Sequence, residues 1–99
     1  MTQDMGVFKG GVAVITGAGS GIGEGLARLA ARQGMRVVLA DVAMERAESV
    51  AEDIRSAGAE ALAVHTDVSE PEALDRLAAV THETFGDVTL LVNNAGIET

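Results

Sequence analysis

Residues 16–23 read Thr16-Gly17-Ala18-Gly19-Ser20-Gly21-Ile22-Gly23, four glycines in eight positions, directly behind the apolar run Val12-Ala13-Val14-Ile15. Glycine interrupts helices and weakens strands. A cluster between two well-patterned segments therefore marks a flexible connection or a place where something approaches the main chain closely. The flanking sequence decides between the two. Short aliphatic runs at Val12 to Ile15, Arg36 to Ala40, Ala59 to Val64 and Val88 to Val92 have the composition of strands buried on both faces. Helical spacing fills the intervals. Ile22, Leu26, Leu29 and Ala30 share one face ahead of Gly34; Ala43, Ala47, Val50, Ile54 and Ala57 do so ahead of Gly58; Leu74, Leu77, Ala78, Thr81 and Phe85 do so ahead of Gly86. The third helix is predicted to open with Ser69 as N-cap, Pro71 in its first turn and Glu72 three residues past the cap.

Strand and helix alternating through a fourth strand imply parallel pairing with right-handed crossovers, a doubly wound, Rossmann-like α/β sheet. With strand order 3-2-1-4, winding reverses between strands 1 and 4, and a ligand crevice opens at their carboxyl ends. The glycine cluster ends strand 1 and Asn93-Asn94-Ala95-Gly96 ends strand 4, so the two unusual segments meet there. One face of the sheet is expected to carry two helices and the other mainly one. The outer edge of strand 4 is left apolar, with the remaining strands of such a sheet missing. Residues 1–99 are accordingly expected to be the amino-terminal part of a single, longer domain, or to have their sheet completed by a second chain, and to be poorly soluble or oligomeric when isolated.

Composition narrows the function classes. Ninety-nine residues with 47% hydrophobic content suit one small globular domain. Fifteen acidic residues against seven basic ones, a net charge of -8, disfavour a nonspecific nucleic-acid or anionic-membrane surface. The absence of cysteine removes disulfides, thiolate metal sites and cysteine nucleophiles, and fits a reducing cytoplasm. Neither a secretory signal nor a membrane-length apolar run is visible, so a soluble, cytoplasmic protein is expected. His65 and His82 stand apart, without partners at metal-ligand spacing, and read as ordinary core or surface histidines.

A helix that begins near Gly21 presents unpaired N–H groups and the positive end of its dipole, which stabilises an anion. In that reading Gly17 makes the tight turn, Gly21 lets a pyrophosphate reach the backbone and Gly23 lets the helix lie close to the strand. The spacing is T-G-x-x-x-G-x-G rather than the general G-x-G-x-x-G, and a plain glycine-rich turn is the competing reading. Asp41 lies about 20 residues past Gly21, at the end of strand 2, where an acidic residue binds ribose hydroxyls. Its carboxylate would repel a 2′-phosphate, favouring NAD over NADP, and no Lys or Arg between Thr16 and Gly25 offsets that repulsion. Asp41 as a helix cap is the alternative, and the two roles are compatible.

Taken together, Phe8-Lys9-Gly10, Thr16 to Gly23, Leu39-Ala40-Asp41, Asp67-Val68 and Leu91-Val92-Asn93-Asn94-Ala95-Gly96 resemble, in order, the short-chain dehydrogenases/reductases of classical type. The resemblance implies that Ser20 and Ile22 lie at the cofactor phosphates and ribose, and that Asp41 holds the adenosine ribose. It further implies that Asp67 accepts from the adenine amino group, Val68 packs beside the ring, and Asn94, Ala95 and Gly96 line the cofactor near its ribose. Thr16 and Asn93 would tie strands together. By ordinary turn chemistry, Asp67-Val68-Ser69 could equally be a loop before a capped helix.

The same resemblance implies hydride transfer between a nicotinamide and a carbonyl or alcohol substrate, with a tyrosine as general acid/base, a lysine four residues beyond it, and an assisting serine and further asparagine. The 99 residues contain no tyrosine, and the single lysine, Lys9, precedes the first strand. No catalytic residue is therefore assigned, and these residues alone are expected to be inactive. The leading reading is the cofactor-binding half of an NAD-dependent oxidoreductase that forms homo-oligomers. A non-catalytic dinucleotide-binding module is the second, and an S-adenosylmethionine methyltransferase the third, disfavoured by the Asn93 to Gly96 segment. The lack of Gly-Lys-Ser/Thr excludes a P-loop nucleotidase.

Overall fold

The computed structural model of the chain describes residues 9–94. Four strands and three helices alternate: β1 (Val12–Thr16), α1 (Gly21–Arg32), β2 (Arg36–Asp41), α2 (Met44–Ser56), β3 (Ala61–His65), α3 (Ala73–Phe85) and β4 (Leu90–Asn93). All pairings are parallel, and the strand order is β3-β2-β1-β4. The doubly wound α/β architecture follows from the sequence pattern because β1 and β2 are apolar at every central position and can be covered on both faces.

Alternation along the strands divides the core. Ala13, Ile15, Val37 and Leu39 face α1 and α2, where Ala27, Ala30, Ala47, Val50, Ala51 and Ile54 meet them. Val12, Val14, Val38 and Ala40 face the other way, onto Leu77 with Val64 and Phe85 at the margin. Two helices on one face and one on the other is the expected distribution.

The helix stripes differ in detail from the sequence expectation. α1 buries Gly23, Ala27 and Ala30, while Ile22 is 68% exposed and Leu29 also lies largely in solvent. Small residues at i, i+4 and i+7 let α1 lie close to β1, and one residue of rotation carries Ile22 off that stripe. In α2 the buried set is Ala47, Val50, Ala51 and Ile54; Ala43 and Ala57 are the flanking caps. α3 buries Ala73, Leu77 and Thr81, with Leu74 and Ala78 outside, and Phe85 half-buried.

The start of α3 is a further correction. Ser69 does not cap it: the helix begins at Ala73, with Glu72 at the N-cap, and Pro71 lies in the preceding turn. The Ser69 N–H and hydroxyl are both committed to Asp67 Oδ1, at 3.0 and 2.7 Å. Two strands also begin later than expected. The Ala59 N–H closes the end of α2 on the Ile54 carbonyl at 3.2 Å, so β3 starts at Ala61. The Thr89 hydroxyl accepts the Val12 N–H at 3.1 Å, and β4 starts at Leu90. Each helix ends where expected: Gly34, Gly58 and Gly86 follow or form the caps, all with positive φ.

Candidate functional site

Parallel pairing sets the carboxyl ends of β1, β2 and β4 side by side. Thr16 pairs with Ala40 on one side and Asn93 on the other. The buried Thr16 hydroxyl donates to Asn93 Oδ1 at 2.8 Å, fixing the β1–β4 junction from which both unusual segments depart. This is the strand-tying role expected of the pair.

Gly17 leaves β1 with φ 66°, and Gly21 enters α1 with φ 59°, both in the left-handed region that glycine tolerates. Between them the loop is held on its two sides. The Ala18 N–H donates to the Ala40 carbonyl at 3.3 Å, and the Gly19 N–H donates to Asp41 Oδ2 at 2.8 Å. From β4, the Asn94 side-chain amide donates to the Gly17 carbonyl at 3.2 Å. Gly23 sits under this arch: a Cβ there would collide with the Gly17 carbonyl oxygen and lie 2.7 Å from Asn94 Nδ2. Close approach of helix and strand end is thus what excludes a side chain at position 23.

Ser20 is the N-cap of α1 and is exposed, but its side chain makes no capping hydrogen bond. A serine at this position ordinarily satisfies an N–H of the first turn. Two positions on, Ile22 is exposed as well.

Asp41 has two commitments of its own. Oδ2 accepts from Gly19, and Oδ1 accepts from the Ala43 N–H at 2.9 Å, bracing the turn into α2. A carboxylate has about four acceptor positions, so roughly two remain. Capping and ligand binding are therefore compatible at this residue. The neighbouring strand end is attached through the Thr66 N–H, which donates to the Asp41 carbonyl at 3.0 Å.

Asp67 and Val68, both half-buried, follow Thr66. The Ser69 hydroxyl, then the Ser69 N–H, hold the Asp67 carboxyl below the usual aspartate range; His65 adds a smaller lowering. Among the described residues no side-chain hydrogen bond joins Asp67 to the glycine loop. The structure thus brings Gly17, Ser20, Gly21, Ile22, Gly23, Asp41 and Asn94 to one end of the sheet and sets Asp67 and Val68 one strand further out. Ala95 and Gly96 lie outside the described residues. Two neighbours escaped the sequence reading. Gly19 has no room for a side chain, since a Cβ would lie 2.9 Å from Asp41 Oδ2 and 2.9 Å from Arg46 Cβ. Arg46 stands 23 positions beyond Gly23 in the chain, outside the local window in which a compensating base was sought.

No helix among the described residues is long and apolar enough to cross a membrane. Comparison with known proteins agrees with the geometry. The family model for short chain dehydrogenase matches residues 11–99. The chain is 43% identical over 90 residues to cyclohexanol dehydrogenase of Acinetobacter sp. and 48% identical over 90 residues to cis-4-hydroxycyclohexanecarboxylate dehydrogenase of Sinomonas cyclohexanicum. In both cases the match takes in 91% of this chain and 36% of the relative, so the chain spans about a third of their length. Among solved structures, a short chain dehydrogenase/reductase from Burkholderia phymatum in complex with NAD superposes with a TM-score of 0.83 at 48% identity, covering 85% of this chain and 30% of that one. Hydroxysteroid dehydrogenase from Escherichia coli superposes with a TM-score of 0.84 at 36% identity, over 87% of this chain and 37% of that one. The parallel sheet ordered 3-2-1-4, the glycine turn and the ordered matches have one explanation: the chain belongs to the short chain dehydrogenase family.

Proposed function

We propose that residues 1–99 are the amino-terminal part of a dinucleotide-binding domain. In this reading the chain holds NAD for an oxidoreductase that moves a hydride between the nicotinamide and a small carbonyl or alcohol substrate. The observation that carries this reading is the glycine turn itself. It leaves no room for a side chain at Gly23 where α1 meets β1, and Ser20 at the N-cap makes no side-chain capping hydrogen bond.

The residues present fit such a cofactor. The Ser20 hydroxyl and the first N–H groups of α1 would take the pyrophosphate oxygens. Gly17 and Gly21 shape the turn, and Gly23 keeps the helix close. Asp41 would accept the adenosine-ribose hydroxyls on its remaining lone pairs, with Ile22 at the margin. Asp67 would accept from the adenine amino group beside Val68, and Asn94 with Ala95 and Gly96 would line the cofactor near its ribose. The bound group supplies hydride donor and acceptor chemistry; these residues supply position and charge. Proton transfer to the substrate is assigned to no residue in this stretch, which has no tyrosine. Family membership sets aside the methyltransferase reading. A cytoplasmic homo-oligomer completes the proposal, its cytoplasmic part supported by a cysteine-free composition.

Calorimetric titration of NAD and of S-adenosylmethionine into the protein tests the reading. Saturable NAD binding with a flat S-adenosylmethionine trace is the expected result. Failure of folded protein to bind NAD at millimolar concentration would end it.

A further inference from the structure

The two parts of the proposed dinucleotide site are carried by different helices. The glycine turn leads into α1, whereas Asp41 braces the start of α2 through the Ala43 N–H at 2.9 Å. At their amino ends the helices are joined through the loop, where the Gly19 N–H reaches Asp41 Oδ2 at 2.8 Å. Further along they part: a cavity of about 260 Å³ lies between them, with Ala31, Ile54 and Ala57 in its lining. α1 rests on the sheet through Gly23, Ala27 and Ala30. Side chains this short allow close approach but interlock little against a lateral shift.

Arg28 spans the gap. Its Nε and Nη2 donate to Glu24 Oε2, one turn back in α1, at 2.9 and 2.8 Å, and Nη2 also donates to Asp53 Oδ2 of α2 at 3.1 Å. Among the described residues this is the one side-chain hydrogen bond between the two helices. The Arg28 side chain is only about one-third exposed, and Glu24 holds the guanidinium on two of its N–H groups, so the arm that reaches Asp53 is already oriented.

We infer that Arg28 is a positioning residue for the dinucleotide: by joining α1 to Asp53 of α2 it fixes the separation between the turn that would take the pyrophosphate and the carboxylate that would take the adenosine ribose. This rests on the dinucleotide reading above and goes beyond it, tying affinity to a contact outside the glycine turn. A ligand that spans both subsites depends on their separation, and one that fills a single subsite does not.

The test compares NAD with two of its pieces, adenosine and inorganic pyrophosphate. Each is titrated by NMR chemical shift into the protein and its Asp53→Ala and Asp53→Glu variants, with urea midpoints measured alongside. Asp53→Ala cuts the bridge and leaves the Glu24 pair in place. NAD should then bind about three- to fivefold more weakly, while adenosine and pyrophosphate change less than about 1.5-fold. Asp53→Glu, which keeps a carboxylate, should restore part of the loss. In an Arg28→Met background, Asp53→Ala should weaken NAD no further, because the bridge is already gone. Equal weakening of NAD and both pieces would make the bridge merely structural and overturn the inference. So would unchanged NAD affinity, or full additivity of the two changes. If folded wild-type protein binds neither NAD nor either piece, the dinucleotide reading itself fails and takes this inference with it.

Discussion

The two faces of the sheet are built by different rules. Against α1 and α2 the strands present Ala13, Ile15, Val37 and Leu39, and the helices answer with Ala27, Ala30, Ala47, Val50, Ala51 and Ile54, all of them buried. Against α3 the strands present Val12, Val14, Val38 and Ala40, answered mainly by Leu77; Leu74 is half in solvent, and Leu91, level with Val14, is 61% exposed. The candidate site grows from the first face. Close packing brings the start of α1 against the end of β1, where Gly23 leaves no room for a side chain beside the Gly17 carbonyl. The second face has less cover and, among the described residues, no comparable turn.

That asymmetry can be broken experimentally, beginning with the core. Leu39→Ala, at a side chain with no exposed surface, should cost about 4 kcal/mol of unfolding free energy in urea titrations, and Leu77→Ala on the other face about 2. Equal costs would erase the distinction. Gly23→Ala forces a methyl group onto the Gly17 carbonyl and should cost about 3 kcal/mol in the same assay, with NAD affinity falling below detection in calorimetry. A silent Gly23→Ala would mean that α1 does not need its close approach. Asp41→Ala strips the acceptor from the Gly19 and Ala43 N–H groups; about 2 kcal/mol of stability should go, together with most NAD binding. Leu91→Lys, on the thinly covered face, should change stability by less than about 0.5 kcal/mol while reducing self-association in sedimentation velocity.

The smallest effect concerns pH. The folded-state pKa of Asp67 is lowered by Ser69, so this carboxylate favours the folded state above the ordinary aspartate range near pH 4, and the contribution disappears as pH falls through the folded value. Carbon-13 titration of the Asp67 carboxyl should show its midpoint rise in Ser69→Ala, and the urea midpoints of the two proteins should differ at neutral pH and converge in acid. An unmoved midpoint would separate Asp67 from the Ser69 turn.

The strand order and the helix ends were legible in the sequence because their signals are local: short, mainly aliphatic runs, and a glycine wherever a helix stops. The loop from Gly17 to Gly23 was legible for the same reason, as was its proximity to Asp41. Which stripe α1 buries was not. Helical spacing offered Ile22, Leu26 and Leu29 as readily as Gly23, Ala27 and Ala30, and the choice is made by the contact of Gly23 with Gly17 and Asn94, the last of these more than seventy residues away in the chain. Ser69 misled because two structures compete for one side chain, and the turn with Asp67 wins over the cap. Arg46 could not be seen from the loop at all, since its place beside Gly19 depends on how α2 leaves β2.

The two N–H groups anchored on Asp41 carry a consequence for how such a protein can change its cofactor over time. The residue that would discriminate between NAD and NADP also fastens the glycine turn to the start of α2. Replacing it alters preference and architecture in a single step, so an evolving lineage meets a stability barrier along that route. Positions 42 and 46 carry no such fastening, and Val42 is more than half exposed. Drift in nucleotide preference should therefore accumulate there first, with the aspartate retained as scaffolding after its discriminating role has been diluted.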